Sequence, residues 1–475
     1  MRKRITAALA AAAILVLGAL AANFVGPVGT ADSAQQQAVG QGAGGGLDQV
    51  GTPKEVAKML REIDPERIQA SDEKLVSFGT RNTLSSQDDP VRGIGAARDW
   101  IFSEFQKAAA DSGGRMTVEL QSYVQPVASR IPVPTVITNV VATLRGTQPE
   151  SANRMYVVSG HYDSMCGSPT DAVCDAPGAN DDASGVSAVL EMARVMAKRE
   201  WESTIVFMAV AGEEQGLYGS NHYAETARAA NLQIEGMFTN DIVGSSTGGT
   251  GIRDPFSVRL FAEGVPTDET TSEANTRRSV GGENDSPARQ MARFVKSVAE
   301  NSHTNMEIKI IYRRDRFGRG GDHISFLESG YRSSVRFTEV NEDFDHQHQN
   351  VRIENGEQIG DLPEFVDFKY IARVARVNAI SLAALADAPV APKGVRIAGG
   401  LSYDTALRWD ANPEPDLAGY EVVWRETTAA DWKQAIWVGN VTNYTVVNMS
   451  KDNFFFGVRA VDTEGNRSPV VFPRP

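Results

Sequence analysis

Residues 204–214 read TIVFMAVAGEE, an uninterrupted apolar run that is followed by a glycine and two glutamates. A continuous apolar run is typical of a strand that is buried on both faces, as in the parallel sheets of α/β proteins. Two adjacent glutamates directly after such a strand are hard to explain as a solvated face. Because neighbouring residues at a strand exit point in different directions, one of Glu213 and Glu214 can bind a metal ion while the other transfers protons.

The segments on either side of this run alternate between strand-like and helix-like patterns. Apolar residues recur at helical spacing from Pro53, and again over Pro90–Lys107 and Ser184–Lys198. Further strand-like runs are found at Val118–Val124, Val136–Leu144, Met155–Ser159, Gly236–Val243 and Ser333–Val340. Buried strands alternating with helices predict an α/β domain with layers around a largely parallel sheet. The polar segment Gly244–Pro287 lacks strong periodicity apart from Phe256–Phe261 and is expected to be a lid or binding loop.

Three more polar clusters follow strand-like runs, which is where sites form in open α/β sheets. His161 stands two positions before Asp163; the pair is either a surface turn or a metal ligand with a carboxylate that fixes the imidazole tautomer. In the turn before the helix at Ser184, the helix dipole explains Asp182. Asp181 is less well explained in this way and is placed to reach into a cleft and bridge two ions. The third cluster is the pair Asn240 and Asp241, at the end of the strand-like run from Gly236.

Two histidines, His346 and His348, stand together in the segment Asp343–Asn350, which reads DFDHQHQN and follows the strand-like run Ser333–Val340. Imidazole nitrogen is a common zinc ligand, so either ring is a candidate. A chance pair of surface histidines is the alternative.

The first 22 residues have the pattern of a signal peptide, with a basic Met1–Arg4 followed by an apolar run that ends in small residues. An uncleaved anchor helix is the alternative, because the apolar run is nearly long enough to span a membrane. Residues 23–52 are rich in Gly, Ala, Gln and Ser and are expected to be a flexible linker. The protein is therefore expected to be exported, either secreted or periplasmic, with no stable membrane insertion once the segment is cleaved.

The cysteine count and the net charge restrict the chemistry further. Cys166 and Cys174 are the two cysteines of the chain and lie close together in one loop, which predicts a disulfide in an exported protein. A cysteine metal site would need further soft ligands, and none is close in the sequence. The formal net charge of -13 argues against a nucleic-acid partner, because phosphate binding needs concentrated Lys and Arg.

Composition changes at the Pro/Ala-rich stretch Ala386–Pro392, and residues 387–475 contain short alternating segments separated by turns. This pattern predicts an all-β, immunoglobulin-like sandwich. With Trp409 in an early strand, Gly419–Val422 opening the next and a final strand at Phe456–Asp462, the region is similar to a fibronectin type III module. Such modules bind, space or solubilise, so contact with a cell surface or matrix is one expectation for it.

The motifs of residues 53–386 resemble the bacterial secreted leucyl aminopeptidase family of co-catalytic two-zinc exopeptidases, which is related to glutamate carboxypeptidases. The resemblance includes Phe78–Thr83, Asn139–Ala142 and Gly321–Phe326 as well as the clusters above. It implies a three-layer α/β/α sandwich with a mixed, mostly parallel sheet. It also implies two Zn²⁺ ions per chain and peptide substrates.

The same resemblance implies a role for each candidate residue. Glu213 would be the general base, and the implied metal ligands are Asp181 as the bridge, His161 and Asp241 for one ion, and Glu214 with a late histidine for the other. Family members carry Asp or Glu four positions after that histidine. His346 has Asn350 at this spacing, which favours His346 over His348 as the ligand. We interpret His323 as structural or substrate-facing.

The expected reaction is hydrolysis of the N-terminal peptide bond of peptides by a metal-activated water, with Glu213 as the general base. A carboxypeptidase-type zinc hydrolase on the same fold is the nearest alternative. Such an enzyme would need a cationic pocket for the C-terminal carboxylate of its substrate. A cluster of four arginines either supplies this pocket or belongs to a solvated loop; its members are Arg313, Arg314, Arg316 and Arg319. A catalytically inactive binding protein is the second alternative, and the full set of candidate ligands argues against it.

Overall fold

The computed structural model describes residues 51–475. The predicted signal peptide of residues 1–22, and all but the end of the predicted linker, lie outside these residues. No helix within residues 51–475 is long and apolar enough to cross a membrane.

An eight-stranded mixed sheet lies at the centre of the larger, amino-terminal region. Its strands are β1 (Met116–Gln125), β2 (Thr135–Leu144), β3 (Arg154–His161), β4 (Thr204–Val210), β5 (Gln233–Asn240), β6 (Ser257–Phe261), β7 (Glu307–Ile311) and β8 (Ser334–Thr338). They lie in the order β1-β2-β4-β3-β5-β8-β6-β7. The four central strands β4, β3, β5 and β8 run parallel, whereas β2 and β6 join them antiparallel. A separate hairpin follows, formed by β9 (Arg352–Glu354) and β10 (Glu357–Ile359).

Helices cover both faces of this sheet. They are α1 (Lys54–Glu62), α2 (Pro65–Val76), α3 (Ile94–Ala110), α4 (Ser184–Met196), α5 (Glu213–Gly216), α6 (Tyr218–Ala229), α7 (Thr271–Val280), α8 (Pro287–Ala299), α9 (His323–Glu328) and α10 (Phe368–Asp387). The apolar side chains of α3, α4, α8 and α10 belong to the core on one face. Those of α6 and α9 belong to the core on the other face. The predicted layered α/β fold with a mixed, mostly parallel sheet is confirmed.

Strand β4 shows why an uninterrupted apolar run marks the centre of such a fold. Ile205, Phe207 and Ala209 belong to the core on one face of the sheet. The residues between them belong to the core on the other face, and every residue of β4 is buried. Successive side chains of a strand point to opposite faces, so a strand covered on both sides must be apolar at every position.

Two predictions about elements differ from the structure. The segment Gly244–Pro287, predicted to be a loop, contains β6 and α7. None of the α7 residues is buried, so this helix carries no apolar stripe from which it could be recognised. The helix predicted from Pro90 begins at Ile94 instead, after Gly93, whose φ of 102° lies outside the helical region.

The carboxy-terminal region is formed by two antiparallel sheets of three strands each. Its strands are β11 (Arg396–Ile397), β12 (Thr405–Arg408), β13 (Leu417–Glu426), β14 (Gln434–Gly439), β15 (Asn443–Val446) and β16 (Phe454–Asp462). One sheet has the order β11-β12-β15 and the other β14-β13-β16. Trp409, Tyr420 and Phe456 lie in the core that these strands enclose. The predicted all-β part of the chain is confirmed.

Buried polar contacts join this carboxy-terminal region to the α/β region. Arg425 on β13 places Nη2 2.6 Å from Oδ2 of Asp285, and both side chains are almost fully buried. Trp432 donates its indole N–H to Oε1 of Gln290 at 2.9 Å, and Arg293 donates to the carbonyl oxygen of Ala430 at 2.7 Å. A buried charge without its partner is very unfavourable, so these contacts fix the two regions against each other.

Acidic side chains from both regions also meet at this junction. Burial and the neighbouring carboxylates of Asp416, Asp387 and Asp462 raise the pKa of Glu202 to about 8. Burial together with the charges of Glu464 and Asp462 raises the pKa of Asp387 to about 7. These groups bind protons more tightly in the folded protein than in an unfolded chain.

Replacing Asp285 with alanine is expected to destabilise the protein by about 3–5 kcal/mol, because the buried guanidinium groups of Arg425 and Arg293 then lose their carboxylate partner. Thermal or denaturant unfolding measures the change. The control is Glu426→Ala, an exposed neighbour of Arg425, which should change the free energy of unfolding by less than about 0.5 kcal/mol. A loss in Asp285→Ala no larger than that of the control would contradict the role of this ion pair.

The raised pKa of Glu202 predicts a stability that falls as the pH rises. Between the ordinary pKa of 4.5 and about 8, the folded protein holds a proton that the unfolded chain has released, so deprotonation in this window costs stability. We expect Glu202→Gln to lose less stability than the wild type between about pH 5 and pH 8, by on the order of 1–2 kcal/mol after solvent screening. Unfolding at the two pH values tests this, with the exposed Glu200→Gln as control. Equal pH dependence in wild type and Glu202→Gln would refute it.

Candidate metal centre

The predicted site residues come together at the carboxyl edge of the central parallel strands. His161 is the last residue of β3, Asp241 directly follows β5, and Glu213 and Glu214 open α5 just after β4. Asp181 lies in the turn between β3 and α4. Because β4, β3 and β5 are parallel neighbours, their carboxyl ends lie side by side, which brings these residues together.

A glycine between β4 and the two glutamates shapes this edge. Gly212 has a φ of 78°, in the left-handed region that favours glycine. A Cβ atom at this position would lie 3.0 Å from Cδ1 of Ile137 and 3.3 Å from Cβ of Tyr218. The close approach lets the chain turn sharply out of the strand and present both glutamates at the site.

Asp181 stands between two histidines. Its Oδ1 lies 3.1 Å from Nε2 of His161, and its Oδ2 lies 2.9 Å from Nε2 of His348. The same His348 nitrogen lies 3.1 Å from Oε2 of Glu214. Within the described residues, potential ligand atoms gather in two clusters at this edge: His161, Glu213 and Asp241, and Asp181, Glu214 and His348.

The structure brings His348 to Asp181 and Glu214, whereas His346, the histidine that the sequence favoured, lies outside both clusters. The His346 ring stacks on Phe365 with 3.6 Å between ring centroids, and its Nε2 lies 3.5 Å from Oδ2 of Asp343. Asn350, which favoured His346 by its spacing, instead accepts a hydrogen bond from the backbone N–H of Gly167 at 3.0 Å. His348 reaches the site from a left-handed turn, with a φ of 55°.

Asp163 lies against the second ring nitrogen of His161, as predicted, and has a further role in the turn after β4. The His161 Nδ1 atom lies 3.1 Å from the main-chain carbonyl oxygen of Asp163 and 3.5 Å from its Oδ1. Its carboxylate accepts hydrogen bonds from the backbone N–H groups of Glu213 at 3.3 Å and Glu214 at 3.1 Å, and from the Thr83 hydroxyl at 3.1 Å. The residue therefore orients the imidazole and also fixes the turn that carries both glutamates.

Three supporting residues were missed by the sequence interpretation. Asp361 accepts hydrogen bonds from the backbone N–H groups of Asn180 at 2.7 Å and Asp181 at 2.8 Å. Asp182 accepts one from the backbone N–H of His161 at 2.9 Å. Arg336 places Nη2 2.8 Å from Oδ1 of Asp241. Arg336 could have been recognised as the charged residue inside the strand-like run from Ser333, whereas Asp361 has no such signal.

Other predicted residues lie outside the two clusters. His323 is buried, and its Nε2 lies 2.8 Å from the carbonyl oxygen of Arg314, which agrees with a structural role. Cys166 and Cys174 are joined by a disulfide. No free cysteine is present in the described part of the chain, so no thiolate from these residues can bind a metal ion. The potential donor atoms at the site are imidazole nitrogens and carboxylate oxygens.

The carboxylates of the site differ in their pKa values. Burial raises the pKa of Glu213 well above its usual range. The charge of His161 lowers this pKa, whereas the negative charges of Asp241 and Glu214 raise it further. Burial alone would also raise the pKa of Asp181, but His348 and His161 hold it well below its usual range. So many buried carboxylates in one place are unfavourable unless cations neutralise them.

The donor set fits bound metal ions. Imidazole nitrogen and carboxylate oxygen are ligands that zinc accepts. Oε1 of Glu214 is buried and, among the residues that the structure describes, has no hydrogen-bond partner. A lone pair left free at such a position is available to a cation. The clusters border a cleft of about 420 Å³.

A parallel-sheet edge with two histidine and carboxylate clusters that face one cleft defines the class of metal-dependent hydrolases. Comparison with known proteins specifies the family. The family model of peptidase family M28 matches residues 139–359. A probable zinc metalloprotease of Leptosphaeria maculans is 53% identical over 431 residues, which cover 90% of this chain and 99% of that protein. The chain belongs to peptidase family M28.

Other similar proteins include a probable zinc metalloprotease of Pyricularia oryzae, 53% identical over 88% of this chain and 84% of that protein. Among solved structures, the LapA aminopeptidase of Legionella pneumophila is 18% identical, with a TM-score of 0.48 over 70% of this chain and 75% of that chain. The two curated relatives are fungal proteins, whereas the resemblance drawn from the sequence is to a bacterial family.

The two histidines of the late segment provide a direct test of the site. His348→Ala is expected to lower the amount of zinc that the purified protein retains after dialysis, because it removes a donor beside Asp181 and Glu214. His346→Ala is the matched control, two residues away and stacked on Phe365, and should retain as much zinc as the wild type. Elemental analysis of both variants measures the metal content. Loss of zinc in His346→Ala but not in His348→Ala would overturn the assignment.

Proposed function

We propose that the protein is an exported, zinc-dependent aminopeptidase that hydrolyses the N-terminal peptide bond of peptides. The observation that carries this proposal is the separation of the two adjacent glutamates. Glu214 lies 3.1 Å from Nε2 of His348, whereas Glu213 is grouped with His161 and Asp241 and lines the cleft. The two glutamates thus belong to different clusters, and we assign metal binding to Glu214 and proton transfer to Glu213.

Two zinc ions per chain fit the two clusters. His161 and Asp241 would hold one ion, and Glu214 and His348 the other, with Asp181 contributing an oxygen to each. Zinc bound there supplies Lewis acidity, which polarises a peptide carbonyl and lowers the pKa of a water molecule. Both oxygens of Asp181 already face separate histidines, which supports a shared ligand.

Glu213 is the general base in this proposal. Its side chain faces the cleft and takes the proton of the attacking water, then delivers it to the nitrogen of the leaving amine. The hydrogen bond from its backbone N–H to Asp163 keeps the residue in position.

The amino-terminal specificity is supported by the charge of the cleft. Asp181, Glu213, Glu214 and Asp241 all line it, and Glu213, the one of the four that is not assigned to a metal ion, carries the negative charge that suits the α-ammonium group of a peptide. A carboxypeptidase is a second candidate, because Arg316 and Arg319 from the predicted cationic cluster also line the cleft. Hydrolysis of leucyl peptides with a blocked N-terminus or a blocked C-terminus, with and without chelator, separates the two. A catalytically inactive protein would cleave neither.

Export and the role of the carboxy-terminal region are part of the same proposal. Residues 1–22 would direct the chain out of the cytoplasm, and the disulfide between Cys166 and Cys174 suits an oxidising compartment. We propose a fibronectin type III-like module for residues 387–475, with a cell-surface or matrix contact as its expected partner. Support for the module comes from its two antiparallel sheets and the buried Trp409 between them.

Glu213→Gln is expected to lower kcat by about 10²–10⁴-fold, because an amide cannot accept the proton of the attacking water. Its zinc content should equal that of the wild type. Turnover of a leucyl peptide and elemental analysis of the same preparation measure the two quantities. The control is Glu225→Gln, an exposed glutamate on α6. If Glu213→Gln turns over at the wild-type rate, the assignment of the base fails.

A further inference from the structure

The cleft has charges of both signs. Its lining includes the four carboxylates at the sheet edge and also three guanidinium groups, those of Arg130, Arg316 and Arg319. The reaction proposed above uses the acidic side and gives the arginines no task. A positive group beside a catalytic cleft needs an explanation if nearby carboxylates do not already neutralise it.

Arg316 is a structural cation. Its Nε lies 3.1 Å from Oδ1 of Asp315, its Nη1 lies 3.3 Å from Oε2 of Glu342, and its Nη2 donates to the carbonyl oxygen of Gly320 at 2.9 Å. Its side chain is 9% exposed. All three nitrogens of this guanidinium are occupied, so Arg316 has little capacity left for a ligand.

Arg319 differs from Arg316 in exposure and in its bonding. Its side chain is 32% exposed, and a single nitrogen, Nη1, reaches Oε2 of Glu342 at 2.7 Å. The Glu342 carboxylate also forms ion pairs with Nη2 of Arg259 at 2.8 Å and with Nη1 of Arg316 at 3.3 Å. One carboxylate is therefore shared by three guanidinium groups and cannot neutralise them all. Among the described residues, no hydrogen bond is made by Nε or Nη2 of Arg319.

Arg130 approaches the cleft from another part of the chain. Its Nη1 donates to the main-chain carbonyl oxygen of Glu214 at 2.8 Å, which fixes the guanidinium beside the cluster of Asp181, Glu214 and His348. This acceptor is uncharged, and no carboxylate within residues 51–475 forms an ion pair with Arg130. Its positive charge is therefore available to a ligand in the cleft.

We infer that Arg130 and Arg319 bind a carboxylate of the substrate that lies on the leaving-group side of the scissile bond. This inference rests on the proposed aminopeptidase function. The substrate class is then short peptides in which a carboxylate follows the cleaved bond closely. Guanidinium groups bind carboxylates through paired hydrogen bonds, which gives both attraction and orientation. The cleft of about 420 Å³ is the size of a small-molecule site, which suits a peptide of few residues.

The carboxylate can come from the free C-terminus of a dipeptide or from an acidic side chain after the scissile bond. Four substrates distinguish these sources: leucyl-alanine, leucyl-alanine amide, leucyl-glutamate amide and leucyl-glutamine amide. We expect leucyl-alanine to exceed its amide in kcat/KM by about tenfold or more, the ratio that one charged contact of about 1.4 kcal/mol gives. A similar ratio for the glutamate and glutamine amides would extend recognition to an acidic side chain.

Arg130→Gln and Arg319→Gln are expected to bring the ratio of leucyl-alanine to its amide close to one. Arg313→Gln is the matched control, since Arg313 belongs to the same loop, lies beside the exposed ring of Phe317 and does not line the cleft. It should keep the wild-type ratio. Equal kcat/KM for the two substrates in the wild type, or a ratio that survives both cleft substitutions, overturns the inference.

Binding to the Glu213→Gln protein separates failure of this inference from failure of the proposed function. Calorimetry with leucyl-alanine and leucyl-alanine amide measures the preference for a carboxylate without turnover. Tighter binding of leucyl-alanine that is lost in the Arg319→Gln background supports the carboxylate site even if no N-terminal hydrolysis is found. Equal binding of the two peptides by a protein that does cleave N-terminal bonds rejects the carboxylate site and leaves the aminopeptidase in place.

Discussion

The Asp181 carboxylate lies between two imidazole rings, with one oxygen directed to each, and much of the surrounding structure serves to hold it there. Asp361 accepts its backbone N–H at 2.8 Å, and Gln347 donates to its Oδ2 at 3.0 Å. Arg81, fully buried, donates to the carbonyl oxygens of Tyr162 at 2.7 Å and Gly178 at 2.9 Å, on both sides of the turn. The role of a shared metal ligand, which we propose for Asp181, needs placement to within about 0.5 Å, and this turn is restrained accordingly.

Much of the fold and part of the site could be predicted because the signals are local. An apolar run such as β4 has to lie between two layers of helices, and polar residues at the ends of parallel neighbours have to meet. The proximity of His161, Asp181, Glu214 and Asp241 follows from this geometry, whereas their separate roles are implied only by the family resemblance. The position of His348 does not, because it depends on a turn with positive φ that no spacing rule describes. Asp361, which acts on a turn 180 positions earlier, leaves no pattern in the sequence.

The acidic and basic sides of the cleft depend on each other. Buried carboxylates raise one another's pKa values, and Arg336 beside Asp241 offsets part of that repulsion. Glu342, by contrast, is surrounded by guanidinium groups, which lower its pKa against the effect of burial. The carboxylates and the guanidinium groups are therefore close together but lie on different sides of the cleft. A peptide bound between them experiences a strong local electric field.

The ion pair between Asp285 and Arg425 has a consequence for how this chain can evolve. The Pro/Ala-rich stretch between the two regions looks like a natural point for recombination, where one β module could be replaced by another. Such an exchange would remove Arg425 from Asp285, which would keep Arg293 at 3.0 Å as its charged partner. A replacement module would therefore need a cation at the position of Arg425 to keep both charges of this contact paired, which couples the two regions of the chain.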